Sequence, residues 1–257
     1  MGPDPNFLIP PDLIQALDRS RHAVVMTGSG TSAESGIPTF RNAQTGLWAK
    51  YRPEDLATPE AFERDPQLVW EWYAWRRELV GAAEPNPGHI AIAELNDLLP
   101  HLTLITQNVD GLHQRAGSPR VIEFHGNLMR SRCTAGHPAD EIDKIDNTGE
   151  TPPRCRQCGA MLRPDVVWFG EAIPAVALAT ALKAVEDCDI LLAIGTSAVV
   201  QPAAGLAMQA KQHGALLVEV NPEPTPLTRD VDFVLTGSSG RIMPELVNAL
   251  RSRQDHA

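Results

Sequence analysis

The chain has 257 residues, of which 43% are hydrophobic and 21% are charged, a composition typical of an ordered globular protein. Its net charge is −10 at pH 7 and no run of Lys and Arg stands out, which argues against nucleic acid as its main ligand. It shows neither a signal-peptide pattern nor an apolar run near the ~20 residues of a membrane helix. We therefore predict a cytoplasmic protein that binds neither nucleic acid nor membrane.

The first part of the chain predicts a helix, a strand and a long helical region. Asp12 is expected to cap a short helix, and the apolar run Ala23–Thr27 is expected to form the first strand. From residue 41 to about residue 87, prolines and a tryptophan cluster at 70–75 interrupt the alternation of strands and helices. We interpret this stretch as a mainly helical excursion, after which a new helix begins near Gly88.

Alternating strands and helices then continue to the end of the chain. The predicted strands are Leu102–Thr106, 121–124, 165–169, Ile190–Ile194, 216–220 and 232–235, and helices are predicted around 178–185 and from Pro202 and Pro244. Such alternation is typical of an α/β fold, here a Rossmann-like doubly wound parallel sheet. The polar segment 131–163 contains three cysteines and cannot bury a core of its own, so it is expected to need a metal or the larger domain.

We therefore predict two units. The larger, Rossmann-like domain comprises residues 12–40, 88–130 and 164–251. The smaller domain, of zinc-ribbon and helical type, comprises the helical excursion 41–87 and the cysteine-containing insert 131–163.

A glycine-rich turn directly follows the first predicted strand. Gly28-Ser29-Gly30 permits close backbone approach, and a helix that opens behind such a turn presents free N–H groups to a phosphate. The turn therefore predicts a dinucleotide pyrophosphate cradle, with a plain tight turn as the alternative. It departs from the usual G-x-G-x-x-G, because the third glycine begins the string Gly36-Ile37-Pro38-Thr39-Phe40-Arg41.

Polar strings follow further predicted strands. They are Gln107-Asn108-Val109-Asp110-Gly111-Leu112-His113, Glu123-Phe124-His125-Gly126, and Gly195-Thr196-Ser197 with Asn221-Pro222-Glu223 beyond the next strand. Because open α/β sheets bind ligands at the carboxyl ends of their strands, we expect these strings to line one site.

Together and in this order, the glycine-rich turn and the polar strings resemble the signatures of the sirtuins, the NAD-dependent protein lysine deacylases. More narrowly, the chain resembles the bacterial class III desuccinylase and deacetylase type. The resemblance implies NAD as the cofactor, acyl-lysine proteins or peptides as substrates, and an NAD-binding domain in the larger unit. The NAD-binding residues it implies are Gly28, Ser29, Gly30, Ser32, Ile37, Phe40, Arg41, Gln107, Asn108, Asp110, Gly195, Thr196, Ser197, Asn221 and Ser239.

The resemblance also implies the catalytic residues, namely His125, Asn108 and Asp110. Asn108 and Asp110 would hold the nicotinamide carboxamide and the ribose, with Gln107 on the ribose, while Phe40 covers the nicotinamide pocket. The acyl oxygen would attack C1′ of this ribose, and His125 would deprotonate a ribose hydroxyl, because its ordinary pKa lies near neutrality. The alternative for the string that contains Asn108 is a turn that merely ends a strand.

Two stretches resemble sirtuin regions that contact the substrate. Ala57 with Tyr73 and Arg76 resembles the mark of members that remove acidic acyl groups, because a guanidinium fork can bond a terminal carboxylate twice. The alternative is that this helix only packs its aromatic side chains, with Arg76 in solvent. The segment 166–171 resembles the peptide-binding segment, along which a peptide adds as a strand, and core packing is its alternative. The predicted substrate residues are Ala57, Tyr73, Arg76, Val166, Trp168 and Phe169.

The cysteine spacing predicts a metal site more than a disulfide framework, because Cys155-x-x-Cys158 is a metal-type pair. A sirtuin site would have a second such pair, but only Cys133 is present, and Gly136 stands where its partner would be. His137 is a possible substitute, since zinc also accepts three cysteines and one histidine. We predict a structural zinc on Cys133, Cys155 and Cys158, completed by His137 or water, with a degraded, metal-free site as the alternative.

Two other functions are compatible with the same features. A mono-ADP-ribosyltransferase or NAD hydrolase could use the same scaffold, and an NAD-sensing module would bind the nucleotide without turnover. The presence of His125 together with Asn108 and Asp110 disfavours a sensor, because a sensor needs no base.

Overall fold

The computed structural model describes residues 9–38, 50–137, 140–141 and 151–256, which form two β-sheets and the helices around them. The strands are β1 (Ala23–Thr27), β2 (Leu102–Thr106), β3 (Val121–Glu123), β4 (Gly126–Cys133), β5 (Asp140–Glu141), β6 (Leu162–Val166), β7 (Ile190–Ile194), β8 (Leu216–Asn221) and β9 (Phe233–Thr236). The helices are α1 (Pro11–Arg19), α2 (Ser29–Ser32), α3 (Pro53–Leu56), α4 (Pro59–Arg64), α5 (Pro66–Ala82), α6 (Pro87–Leu98), α7 (Leu112–Arg115), α8 (Ala175–Asp187), α9 (Ala203–Gln212) and α10 (Ser239–Gln254).

Six parallel strands form the larger sheet in the order β3-β2-β1-β7-β8-β9. Every side chain of β1 and β7 is buried, as expected for central parallel strands covered on both faces. The chain leaves β1 towards β2 and leaves β7 towards β8 in the opposite direction. The switch point therefore lies between the carboxyl ends of β1 and β7, where doubly wound sheets bind ligands.

Helices cover both faces of the larger sheet, because successive side chains of β1 point in opposite directions. Val25 packs in a core with residues of α1, α6 and α10, whereas Val24 and Met26 pack in a second core with residues of α8 and α9. The predicted doubly wound α/β fold is thereby confirmed.

The smaller sheet is antiparallel, in the order β5-β4-β6, and α5 packs against it. The buried Arg77 of α5 fixes this contact, because its Nε donates to the Leu128 carbonyl at 2.8 Å and its Nη2 to the Ser131 hydroxyl at 3.0 Å. Residues 53–82 are mainly helical as predicted. We name α3–α5 and the smaller sheet the small module; the domain boundaries drawn from the sequence stay a prediction.

Three local predictions are wrong. The strand predicted at 165–169 is β6, which ends at Val166 and pairs with β4 in the smaller sheet, so it is not a parallel strand. Asp12 lies in the first turn of α1 and does not cap it, because the N-cap is Pro10. The last helix begins before Pro244, because the Glu34 carboxylate accepts the Gly240 N–H at 2.7 Å and so completes a helix start that is distant in sequence.

None of the helices in the described ranges combines the length and the apolar character needed to cross a bilayer.

Candidate active site and metal centre

The glycine-rich turn packs backbone against backbone on the end of β7. The Gly28 N–H donates to the Ile194 carbonyl at 3.1 Å, and the Gly30 N–H donates to the Gly195 carbonyl at 2.9 Å. A Cβ atom at Gly30 would lie 2.8 Å from the Gly195 oxygen, and one at Gly195, where φ is +59°, would collide with the nitrogen of Thr31. Two turns that exclude side chains therefore meet at the switch point, which fits a backbone-lined cradle for a pyrophosphate.

A buried hydrogen-bond network orients the polar groups beside this turn. The Ser32 hydroxyl donates to Asp110 Oδ2 at 2.7 Å and accepts from Asn108 Nδ2 at 3.0 Å. His89 Nδ1 accepts from the Asn86 N–H at 3.3 Å, so Nε2 carries the proton and donates to the Ser32 oxygen at 3.3 Å. Burial lowers the pKa of His89 although Asp110 raises it, and the ring stays neutral. Asn108 and Asp110 are therefore held in one orientation.

Sequence reasoning missed His89 and assigned no role to His113, although both rings lie behind the site with their centroids 4.8 Å apart. His113 Nε2 donates to the Thr27 hydroxyl at 2.9 Å, and that hydroxyl donates to Thr106 Oγ1 at 2.8 Å. Burial, and then the proximity of His89, lower the pKa of His113 to about 3. The one available signal was the position of His89, three residues after Asn86 in a capping box.

His125 lies where the two sheets join, between β3 and β4. Its Nδ1 is 3.1 Å from the Gln107 carbonyl, which can only accept, so Nδ1 carries the proton and Nε2 keeps its lone pair. Burial lowers the pKa of His125 although the bond to Gln107 raises it. The His125 carbonyl accepts the Val167 N–H at 2.9 Å, which connects this residue to the segment after β6. The neutral ring therefore has a basic nitrogen, as a general base requires.

Further predicted NAD-binding residues lie around the ends of β7 and β8 and behind the glycine-rich turn. Asn221 Nδ2 donates to the Thr196 carbonyl at 2.7 Å, and the buried Ser239 hydroxyl lies 3.3 Å from the carbonyl of Thr31 behind the glycine-rich turn. Ile37 packs instead against the core of the small module. Phe40 and Arg41 lie outside the described residues.

The predicted substrate residues meet on the small module. Tyr73 and Trp168 are buried, and the indole Nε1 donates to the Tyr73 oxygen at 2.9 Å. The guanidinium of the half-buried Arg76 lies 5.7 Å from the Tyr73 ring centroid, and burial lowers the pKa of Arg76, so it is not a purely solvent-facing group. The Phe169 N–H donates to the Ala57 carbonyl at 2.9 Å, while Phe169 as a whole is 44% exposed. The core alternative thus describes Trp168 but not Phe169.

A cluster of four potential ligands lies at the far end of the smaller sheet. The ligand atoms of Cys133, His137, Cys155 and Cys158 all lie within 4.8 Å of one another. The Cys133 and Cys158 sulfurs are 3.5 Å apart, as are the Cys155 sulfur and His137 Nδ1. In a tetrahedron with bonds of about 2.0–2.3 Å, ligand atoms lie about 3.3–3.8 Å apart. The donor set therefore fits zinc, with His137 in place of a fourth cysteine.

The Sir2 family model matches residues 28–202 of the chain, which include the glycine-rich turn, the network and the metal-type cluster. The chain belongs to the Sir2 family. The resemblance to the sirtuins predicted from the motifs is confirmed.

Curated Sir2 relatives match nearly the whole chain. NAD-dependent protein deacylase 2 of Pyrobaculum aerophilum is 52% identical over 237 residues, which is 92% of this chain and 94% of the relative. The NAD-dependent protein deacylase of Pyrococcus furiosus is 49% identical over 244 residues, which is 93% of this chain and 97% of the relative.

Solved Sir2 structures agree with this fold. A Sir2 homologue in complex with NAD superposes with a TM-score of 0.90 at 48% identity, over 96% of this chain and 95% of the other. A Sir2 protein bound to a myristoylated histone peptide superposes with a TM-score of 0.77 at 36% identity, over 96% of this chain and 98% of the other.

Proposed function

We propose that this Sir2 chain is an NAD-dependent protein-lysine deacylase that releases nicotinamide and O-acyl-ADP-ribose. The observation that carries the proposal is the position of His125. Its Nδ1 donates to the Gln107 carbonyl, which leaves a basic Nε2. Gln107 belongs to the same strand-end string as Asn108 and Asp110. The names of the relatives and the NAD bound in a solved homologue support the same activity.

The larger sheet supplies the NAD site. The glycine turns would hold the pyrophosphate, while Asn108 and Asp110, oriented by Ser32, would hold the nicotinamide end. When bound, NAD supplies an electrophilic ribose carbon with nicotinamide as its leaving group. The chain's own contribution would be to orient the nicotinamide end of NAD. Asn108 and Asp110 can do so because their hydrogen bonds to Ser32 restrict both side chains to one orientation.

His125 acts as the general base in this proposal. The Gln107 carbonyl fixes the proton on Nδ1, so Nε2 can take a proton from a ribose hydroxyl without a change of tautomer. The lowered pKa keeps the ring neutral at physiological pH, which is the form that accepts a proton. A sensor that only bound NAD would not need this arrangement.

The acyl group is accepted by the small module, and we include acidic acyl groups such as succinyl and malonyl beside acetyl. Arg76 and Tyr73 are three residues apart on α5 and lie on the same side of the helix. Burial raises the pKa of Tyr73 to about 12, so its hydroxyl remains a donor. We name the proposed binding place of the acyl group, beside Tyr73 and Arg76, the acyl pocket. A carboxylate bound there would have a cation and a hydroxyl donor, which offsets its desolvation.

Acylated proteins or peptides are the proposed partners. A solved relative holds a myristoylated histone peptide, and another holds a deacetylated p53 peptide. The segment with Val166, Trp168 and Phe169 is the proposed contact, because it joins the acyl pocket to the carbonyl of His125.

The metal-type cluster is proposed to hold a structural zinc. Cys133, His137, Cys155 and Cys158 form a closed set of four ligands, with no position left for a substrate or water. Zinc there would stabilise the smaller sheet, because Cys133 belongs to β4 and is paired with Leu162 of β6.

Mass spectrometry of the products tests the activity directly. NAD is incubated with peptides of one sequence that carry acetyl-, succinyl- or malonyl-lysine. O-acyl-ADP-ribose and free lysine peptide are expected. ADP-ribosylated protein would instead indicate a transferase, free ADP-ribose without deacylation would indicate an NAD hydrolase, and unchanged NAD would indicate a binding module.

A further inference from the structure

We propose that Arg163 and Glu171 are positioning residues that set acyl-group choice from outside the acyl pocket, by holding the indole of Trp168 against Tyr73. The inference rests on the proposed deacylase function and assigns a task to an ion pair that the proposed chemistry leaves unused.

The ion pair closes the loop that follows β6. Arg163 Nη1 and Nη2 donate to the two Glu171 carboxylate oxygens at 2.5 and 2.9 Å, and Nη2 also donates to the Val166 carbonyl at 2.9 Å. The Glu171 carboxylate in turn accepts the Trp168 N–H at 2.8 Å. The backbone around Trp168 is therefore tied to both members of the pair, to Arg163 at the Val166 carbonyl and to Glu171 at the Trp168 N–H.

The same guanidinium also holds the ring. The Arg163 guanidinium carbon lies 3.3 Å from the centroid of the Trp168 ring, and the Phe62 ring lies 5.4 Å from it. A cation stacked on a desolvated indole is attracted by the negative face of the ring. Arg163 therefore restricts the side chain of Trp168 directly and its backbone through Glu171.

The orientation of Trp168 determines the direction in which the Tyr73 hydroxyl can donate its hydrogen. The indole N–H donates to the Tyr73 oxygen at 2.9 Å, so the hydroxyl hydrogen of Tyr73 must point elsewhere. That hydrogen can be donated to the acyl group, beside Arg76. If the indole tilted away, Tyr73 would be free to rotate its hydroxyl and the donor would lose its direction.

The burial of the pair supports a positioning role over a purely stabilising one. The Arg163 side chain is 8% exposed and that of Glu171 is 18% exposed, and a second cation, Arg132, lies 3.5 Å from the same carboxylate. A buried ion pair is weak evidence for stability, because desolvation offsets most of its attraction. Its bidentate geometry does, however, fix direction, which a hydrophobic pair would not.

The test compares Arg163→Met and Glu171→Gln with the wild type on acetyl- and succinyl-lysine versions of one peptide. We expect the succinyl-to-acetyl ratio of kcat/KM to fall about tenfold in each variant, the effect of one misdirected hydrogen bond. The KM for NAD should stay within twofold, because the glycine turns belong to the larger sheet. In a Tyr73→Phe background, Arg163→Met should not change the ratio further, because the hydroxyl that it orients is gone.

Arg130→Met is the matched control. Arg130 lies in the same sheet and bonds two carboxylates, Glu123 and Asp165, but makes no contact with Trp168 that the structure describes. It should leave the ratio within twofold even if the melting temperature falls. Equal losses on both peptides, or a fall of the ratio in the Tyr73→Phe background, would overturn the inference.

Calorimetric binding of the same two peptides separates this inference from the deacylase proposal. A wild type that binds them without turnover would contradict the deacylase alone, and a lower binding ratio in Arg163→Met or Glu171→Gln would still support the positioning role. An unchanged binding ratio in both variants would overturn it.

Discussion

The edge of the larger sheet and the small module hold their predicted functional residues with different kinds of interaction. At the sheet edge, glycines pack backbone on backbone and a neutral network of Ser32, Asn108 and His89 orients Asp110. In the small module, an aromatic cluster and guanidinium–carboxylate pairs surround the predicted substrate residues, and a Cys/His cluster lies at the far end of the smaller sheet. We infer from this difference that the sheet edge carries out the proposed reaction, whereas the small module, which has its own stabilising contacts, selects the substrate. Changes at the edge should therefore affect all acyl groups alike, and changes in the module should discriminate between them.

The largest effect is expected at His125, where the two regions meet. His125→Ala should lower kcat/KM by ~10²–10⁴-fold on every acyl peptide, the usual loss for a general base. NAD affinity, measured by calorimetry, should stay within about twofold, because the glycine turns are untouched. His213→Ala, at the exposed end of α9, is the control. Turnover within tenfold of the wild type would remove His125 from the mechanism.

Arg76→Met should show the opposite pattern, a loss that depends on the acyl group. A charge-assisted hydrogen bond contributes roughly 1.5–3 kcal/mol, so kcat/KM for succinyl-lysine should fall about 10- to 100-fold. Acetyl-lysine should lose no more than a few-fold, because an acetyl group has no carboxylate. The neighbouring Arg77→Met should lower stability without changing the succinyl-to-acetyl ratio of kcat/KM, since the Arg77 guanidinium donates to the Leu128 carbonyl of β4. Equal losses on both peptides after Arg76→Met would mean that the helix only packs its aromatic side chains.

Removal of the metal tests whether the module has its own support. Cys155→Ser should lower the zinc content, measured by elemental analysis, from about one ion per chain to none. We expect the KM for the peptide to rise several-fold while the KM for NAD stays within about twofold, because a closed zinc site stabilises its own unit. Cys188→Ser, a buried cysteine in the core under the larger sheet, should retain its zinc. A metal-free and fully active wild type would show that the insert folds without zinc.

The sequence predicted the sheet edge better than the module. All six strands of the larger sheet and the strings after them could be located because apolar runs and turn residues are local signals. The antiparallel β6 was misread as a parallel strand, because an apolar run does not reveal its partner, and the paired residues of β4 lie 29 to 40 positions earlier in the chain. His89 was missed for the same reason, since its hydrogen bond to Ser32 joins two residues that are distant in the sequence.

The smallest expected effect is a pH dependence of stability that belongs to the larger sheet. The pKa of His113 is about 3 in the folded chain, against 6.5 for an ordinary histidine, because burial disfavours its charged form. Between pH 3 and pH 6.5 the unfolded chain binds one more proton than the folded chain. As far as His113 determines it, the free energy of unfolding therefore has its full value above pH 6.5 and decreases as the pH falls towards 3. The slope is at most ~1.4 kcal/mol per pH unit. Urea unfolding of the wild type and of His113→Gln at pH 7 and pH 5 measures it.

Glutamine keeps a donor for the Thr27 hydroxyl and does not titrate, so His113→Gln should lose less stability than the wild type between pH 7 and pH 5. The nearby His89 titrates in both proteins, so the difference between their slopes reports His113 together with its interaction with His89. His213→Gln should behave like the wild type, because His213 is exposed. Identical pH slopes in the wild type and His113→Gln would show that a charged His113 is tolerated, and the edge of the larger sheet would then be less rigid than its neutral network indicates.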